Sequence, residues 1–309
     1  MILTFDFHNH SCLSPCASLE NSPSEMAKSA RQKGIEIFAL TDHNSALNSA
    51  TFAIACARQG LIPFFGLEMN PFEEAHLLAI FPDPLAALAF SDQVYRYLPQ
   101  LEIDPCQFGD QVVVDPKDEI LAMPAAWYGN ALQESFAFFA EAAHNAEALV
   151  IPAHVDRAQF SVYSQLGFLP PGAYDAVEAV GADPDPVLSG RNCVISDSDA
   201  HVLEHVGRRS SAVEIADEAI VNELRAGLAA MVERWKQWEH SENAQHMKSA
   251  DGSDDICKAG ISTAIPGLAP LVSFLAEWYP RRESLALLEA MRRSFHEKKA
   301  WSMYKRPAL

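Results

Sequence analysis

Apolar and polar positions alternate along the opening part of the chain in a fixed rhythm: short apolar run, polar cluster, helix. Ile2–Phe7 is an apolar run that ends in His8-Asn9-His10-Ser11. Ser22-Pro23-Ser24-Glu25 then predicts a helix start, with Ser22 as cap, Pro23 at the first helical position and Glu25 three residues on. Gly34 supplies the left-handed stop. Ile35–Leu40 is the second predicted strand, followed by Thr41-Asp42-His43-Asn44. A helix over Ala46–Arg58 stops at Gly60, and Leu61–Leu67 forms the third strand with Glu68 at its end.

The rhythm returns later. Ala148–Ala153 leads into His154, Ala176–Val180 is another strand, Cys193–Ser196 leads into Asp197–His201, and Ala212–Ile215 is the last predicted strand. Alternation of this kind predicts a mostly parallel sheet, open or closed into a barrel. Such proteins collect their chemistry at the C-terminal ends of the strands. His76 breaks the rule, because it opens its run, His76–Phe81, instead of closing it. Residues Pro71–Ala75 are few enough for a hairpin loop, which brings His76 back beside Glu68. Val112–Val114 and Glu119–Leu121 predict a second hairpin, Glu134–Ala148 a helix, and 157–174 a long loop flanking the site. Residues 82–147 otherwise carry little β/α rhythm.

Composition narrows the class. The chain has 309 residues, 49% hydrophobic and 21% charged, which suits one large α/β domain with a modest appendage. A formal net charge of −18 argues against duplex nucleic acid held on a broad basic face. A nucleotide substrate stays open, since bound divalent cations reverse the local sign. The N-terminus lacks a signal-like apolar core and no apolar stretch is long enough to span a bilayer, so the expected location is cytoplasmic, without a membrane partner. Cysteines at 12, 16, 56, 106, 193 and 257 form no C-x-x-C pair, so neither a structural zinc knuckle nor a disulfide framework is indicated. Residues 281–306 carry eight Lys or Arg against three Glu, the remainder 15 against 38, so a basic C-terminal helix is expected either to dock on the acidic body or on a partner, or to stand as a solvated terminal helix.

The chemistry lies in the polar clusters. His8, His10, Cys16, His43, Glu68, His76, His154, Asp199 and His201 are all potential metal ligands. His8 and His10 are two apart at a strand end, so both rings point to one side and can chelate one ion. Asp199 and His201 repeat that spacing with an oxygen and a nitrogen. Burying several such groups together without a metal is unfavourable.

These residues resemble a known family. His8-Asn9-His10-Ser11, Ala39-Leu40-Thr41-Asp42-His43-Asn44, Gly66-Leu67-Glu68, Pro152-Ala153-His154 and Ser198-Asp199-Ala200-His201 resemble, in order, the motifs of PHP (polymerase and histidinol phosphatase) domains. The resemblance spans residues 3–230. It implies an α/β fold, a distorted seven-stranded β/α barrel, with two or three divalent metal ions (zinc, iron or manganese) and phosphoester hydrolysis. It implies His8, His10, Glu68 and Asp199 around the first ion, Cys16, His43 and His201 around the second, and Glu68, His76 and His154 around the third. Glu68, Asp199 and His201 are the implied catalytic residues. Cys16 departs from the pattern, where histidine or a nearby aspartate is more usual, and a thiolate there favours zinc or iron over magnesium. The expected domains are a PHP-like domain over 1–235, a polar linker over 236–260, and a C-terminal helical extension with a basic tail over 261–309.

The expected reaction is attack of a metal-activated hydroxide on a small phosphomonoester or short nucleotide, two ions stabilising the attacking and leaving oxygens. Arginine's planar fork suits the phosphoryl group, and Arg157, Arg208 and Arg209 are the candidates. Asp42 either orients a ligand histidine or caps the following helix, and His205 is a candidate proton donor to the leaving group. A single-strand exonuclease is the nearest alternative, but it needs a cationic groove with stacking aromatics. An amidohydrolase-type site is the other, and the strand-end motifs contain no lysine to support it. A non-catalytic metal-binding domain predicts missing ligands, whereas eight of the nine positions carry the usual donors.

Overall fold

The computed structural model describes residues 1–101, 105–181, 190–240, 265 and 267–303. Strand β1 (Ile2–Asp6) is followed by a helix over Pro23–Gln32 whose cap is as predicted: the Ser22 hydroxyl accepts the Glu25 N–H at 3.3 Å. Gly34 takes φ +79° and ends that helix. Strand β2 (Ile37–His43), the helix Ser49–Arg58 and strand β3 (Ile62–Met69) complete the first units. Both strands run further than their apolar residues suggest. Ladder bonds continue to the pair His43 and Glu68, so the polar residues that read as loop belong to the sheet.

Strand β4 (Leu77–Phe81) pairs antiparallel with β3, with Leu78 opposite Glu68, which is the hairpin expected from His76. A side chain at Gly66 would run into the Ala79 carbonyl of β4, so the close approach of these strands requires glycine. The small hairpin of β5 (Val113–Val114) and β6 (Ile120–Ala122) also forms where predicted. A helix over Phe136–Asn145, shorter than predicted at both ends, precedes β7 (Leu149–Pro152). Two short parallel strands, β8 (Val177–Glu178) and β9 (Val194–Ile195), precede β10 (Ser211–Glu214).

A seven-stranded sheet has the order β11-β10-β1-β2-β3-β4-β7, where β11 is Ala300–Ser302. Only β1–β2 and β2–β3 pair parallel in it, while β4 and β10 run against the others. The expected mostly parallel pairing is corrected accordingly, and the physical reason is the pair of reversals. The β3–β4 hairpin turns the chain back, and the return to β10 places that strand beside β1. Beyond β7 the wall continues: Asp175 N–H donates to the Val150 carbonyl at 3.0 Å and Val155 N–H to the Glu178 carbonyl at 2.8 Å. After β9, Ala200 bridges to Asn9 next to β1. The curled sheet and these links form the distorted barrel, with the ligand end of β1 reached from both sides.

The C-terminal segment adds helices Ala269–Trp278 and Arg281–His296, then β11, which pairs antiparallel with β10. Sequence patterning did not predict that strand, whose three residues are too short a run to register. Leu287, Leu288, Met291 and Phe295 are buried in the same apolar core as the sheet. Two of its basic residues meet acids of the body, Arg281 with Asp83 at 2.7 Å and Arg292 with Asp175 at 3.0 Å. Residues 241–260 of the expected linker and the tail residues Lys305 and Arg306 lie outside the described residues. No helix among the described residues is long and apolar enough to cross a membrane.

Candidate metal centre

Glu68, at the end of β3 and 1% exposed, is the point on which the histidines converge. Its Oε1 lies 3.1 Å from His8 Nε2, 2.6 Å from His76 Nδ1 and 3.0 Å from His154 Nε2. Its Oε2 lies 3.2 Å from His10 Nε2 and 3.1 Å from His43 Nδ1. Asp199 Oδ1 stands 3.5 Å from His8 Nε2 and 3.4 Å from His10 Nε2. Strand ends bring these groups together from β1, β2, β3 and the segment after β9, while His76 and His154 arrive from the β3–β4 turn and the end of β7. His154 and Asp199 both sit at positive φ, +30° and +47°. Such backbone is costly for residues with a side chain and persists where the surrounding structure holds it.

The outer hydrogen bonds decide which imidazole nitrogens are free. His8 Nδ1 donates to Glu178 Oε2 at 2.8 Å, which leaves Nε2 as a bare lone pair aimed at Glu68 and Asp199. Ser14 passes its hydroxyl proton to Asp42 Oδ1 at 2.7 Å, so Ser14 Oγ accepts from His10 Nδ1 at 3.1 Å and His10 Nε2 is likewise free. His201 Nδ1 donates to the Asp199 carbonyl at 3.1 Å. The two free nitrogens of His8 and His10 stand 3.2 Å apart, and Glu68 Oε2 accepts no hydrogen bond although it is buried. Lone pairs facing one another and facing carboxylate oxygens repel unless a cation lies among them. The donor set therefore fits divalent metal ions, each bare nitrogen held by a partner on its far side.

Among the described residues, three ligand groups have their atoms within 4.8 Å of one another: His8, His10, Glu68 and Asp199; His10, His43 and His201; and His43, Glu68 and His76. The first matches the expected first site. In the second, His10 stands where Cys16 was expected. In the third, His43 joins Glu68 and His76, with His154 also on Glu68. Cys16 lies on the rim of the cavity above the cluster and joins none of the three groups. Burial of its thiol, and then the Glu68 and Asp199 charges, push its pKa up to about 12.

Electrostatics divide the histidines. Where no metal ion lies at Nε2 a proton takes its place: burial works against a charged His10, but the Asp199 and Glu68 carboxylates outweigh it and raise its pKa to about 9, and His8, beside Glu68, Glu178 and Asp199, is raised as well. Burial and neighbouring imidazoles lower His43 and His76, and bring His201 down to about 4. Burial alone would raise Glu68, yet the histidines around it hold it well below the ordinary carboxylate range. The cluster thus demands positive charge at its centre.

Of the arginines, Arg157 reaches the site. Its Nη1 bonds Asp199 Oδ2 at 2.8 Å and the residue lines the cavity. Arg208 does not line it: Nε donates to the Ser198 carbonyl at 2.6 Å and Nη2 to the Asp199 carbonyl at 3.2 Å, so it braces the ligand loop from behind. Arg209 is also absent from the lining, and its backbone carbonyl accepts the Ser198 hydroxyl at 3.0 Å. His205 is tied to Arg208 at 3.1 Å. Asp42 orients His10 through Ser14 rather than directly.

Sequence reasoning missed Glu178, which bonds both His8 and the His154 N–H, the latter at 3.1 Å. A carboxylate in the middle of the apolar run Ala176–Val180 was the available signal. It also missed the buried acids Asp6 and Asp197. Asp197 Oδ1 accepts the Phe7 N–H at 2.9 Å, and Asp6 accepts the N–H groups of Ser198 at 3.0 Å and Gly207 at 3.1 Å. Phe108, Trp127 and Phe160 on the cavity wall were not singled out either.

Residues 6–149 match the family model for the PHP domain. Over that stretch, just under half of its length, the chain is similar to PHP domains. His154, Asp199 and His201 lie beyond the matched stretch, and it is the fold that carries them to the same centre. The histidine and acidic residues that such a match leads one to expect stand in groups that could hold metal ions. Among solved structures, the fold is similar to that of the lesion-specific endonuclease PfuEndoQ from Pyrococcus furiosus, with TM-score 0.52 and 19% identity over 74% of this chain and 56% of that one. It is also similar to endonuclease Q in complex with a 27-mer duplex carrying an abasic lesion at the active site, with TM-score 0.50 and 18% identity over 74% of this chain and 57% of that one. The chain thus spans little more than half the length of those proteins, and at such identities the likeness is one of fold alone. No curated protein sequence matches it significantly.

Proposed function

We propose that this chain hydrolyses a small phosphomonoester. The observation that carries the reading is the placement of Arg157. Its guanidinium is fixed to Asp199 at 2.8 Å on the wall of a cavity whose floor is the ligand cluster. That cavity, about 310 Å³, suits a small molecule. Bound divalent ions would supply Lewis acidity toward phosphate oxygens and acidify water at neutral pH.

The chain's own residues account for the rest. Arg157 keeps donors beyond the one given to Asp199, and a planar guanidinium matches phosphate oxygens. In the net reaction a water oxygen bonds to phosphorus, the ester P–O bond breaks, and the departing alkoxide takes a proton. Glu178 and Ser14 hold the His8 and His10 rings in one tautomer, so ligand nitrogens keep their direction through turnover. Among the described residues, those that line the cavity include no lysine, which favours phosphoester over amidohydrolase chemistry.

Metal analysis combined with a phosphate-release screen tests the reading. The screen covers histidinol phosphate, sugar phosphates, nucleoside bisphosphates and short single-stranded oligonucleotides. Phosphate release from at least one small ester is expected. Protein with full metal sites that releases phosphate from none of them would overturn it.

A further inference from the structure

We infer that the group esterified to the phosphate carries a planar aromatic ring, and that Trp127, Phe108 and Phe160 form its binding wall. The inference rests on the phosphoesterase reading for the position of the phosphate and goes beyond it in naming the substrate class.

The three rings line the cavity that holds Arg157 and the ligand floor. Phe108 and Trp127 are a tilted pair with centroids 5.4 Å apart, and Phe108 is 45% exposed, so core packing does not account for its placement. Trp127 lies flat against the backbone: a Cβ added at Gly129 would stand 2.7 Å from two of its ring atoms. Glycine at 129, itself a lining residue, is what lets the indole take that position. The indole Nε1–H is buried and bonds to no protein acceptor, which leaves a donor beside the ring wall.

Phe160 supplies the second observation. It adopts φ +56°, a region costly for a bulky residue, and its carbonyl accepts the His76 N–H at 3.0 Å. Its ring stacks on the His76 imidazole, with centroids 5.0 Å apart and planes 18° apart. The strained backbone therefore sets an aromatic face directly beside a ligand histidine, where the substrate's phosphate and its attached group must diverge. Among the described residues, Arg157 is the one lysine or arginine in the cavity lining. One cation and a short aromatic wall fit a single phosphate with a single ring, and do not fit a nucleic-acid tract, which needs a run of cations along its backbone.

A nucleobase and a simple aryl group share this chemistry, and matched pairs distinguish them. Initial rates of phosphate release are measured on the metal-loaded protein for adenosine 5′-monophosphate against ribose 5-phosphate, and for phosphotyrosine against phosphoserine. Calorimetric binding of the dephosphorylated products, adenosine against ribose and tyrosine against serine, gives a readout independent of turnover. At least one ring-bearing ester is expected to exceed its ringless partner by roughly 10-fold or more in kcat/KM, the scale of one stacked ring, and its product to bind where the ringless product does not. Phe108→Leu and Trp127→Leu should each reduce that preference, while Phe168→Leu, at an exposed residue outside the cavity, should retain it. Equal kcat/KM within both pairs, or a preference unaltered in both cavity variants, would overturn the inference and leave the phosphoesterase reading standing. If no ester is hydrolysed, that reading fails and calorimetry decides alone: product binding lost in the variants supports the aromatic wall, and absence of product binding overturns it.

Discussion

The floor of the site and its rim are built by opposite means. The floor consists of side chains at strand ends, tied by ladder bonds and outer hydrogen bonds: His8, His10 and His154 are fully buried and Glu68 nearly so. The rim comes from loops and one short helical turn, and its residues Cys16 and Phe108 are exposed while Arg157 is half-buried. Asn44 joins the two, at φ +50°. Its side-chain oxygen accepts the Asn70 N–H at 2.9 Å after β3, and its amide donates to the carbonyls of Tyr128 at 2.8 Å and Asn130 at 2.9 Å. The difference teaches where each task lies. Holding cations needs fixed, converging lone pairs, which strands provide; choosing a substrate needs surface that loops can vary.

That contrast breaks first if the floor tolerates change. His10→Ala or Asp199→Ala should abolish turnover, by roughly a thousand-fold or more given what metal-assisted attack supplies, with the circular-dichroism spectrum retained. Chelation should have the same effect, and returning the metal should reverse it. Activity equal to wild type in either variant would remove these residues from the centre.

Glu178→Gln asks whether the floor depends on support from outside it. Loss of this carboxylate should weaken metal affinity or activity about 10- to 100-fold, the usual consequence of removing a partner that orients a ligand histidine. Metal titration separates the two effects, and wild-type affinity together with wild-type rate would show that the His8–Glu178 bond is dispensable.

The acids beneath the floor predict a pH dependence of stability. Burial raises Asp6 from the ordinary 3.8 to about 6, and burial followed by the charges of Glu178 and Asp6 raises Asp197 as well. A raised carboxyl favours its neutral form in the folded state. Its contribution is therefore complete below the unfolded value and is lost as pH climbs through the folded one, so stability from Asp6 falls between about pH 4 and 6. Asp6→Asn should flatten that slope in urea melts across the range. A slope of unchanged steepness would mean that other groups set it.

The smallest effect is expected on the rim. Cys16→Ser should leave metal content unchanged and activity within about two-fold, in keeping with the general tolerance of exposed positions. Loss of one ion per chain on this substitution would instead place the thiol in the second site, as the family resemblance implies, and would draw the line between floor and rim elsewhere.

Much of the floor was legible because a ligand pair on a strand has a spacing. His8 with His10 and Asp199 with His201 show it directly, and the hairpin that returns His76 to Glu68 follows from the length of Pro71–Ala75. The rim was not legible in that way. Phe108, Trp127 and Phe160 are scattered aromatics in stretches without periodicity, and nothing local distinguishes them from core residues. Arg157 could be proposed from its distance to His154, and Arg208 and Arg209 stood behind it as further candidates until the fold left them out of the cavity lining.

By itself, the chain determined the strand–ligand–helix units, their caps and the set of donor residues, because period, turn chemistry and ligand spacing are local properties. Tertiary structure decided what no local signal carries. It set β4 and β10 against the other strands and bent the wall so that Ala200 meets Asn9. It chose His10 over Cys16 beside His43 and His201, and it brought Glu178 behind His8 across a sequence separation of 170 residues. Convergence of that kind depends on how the sheet curls and closes, and the curl is a property of all its strands together.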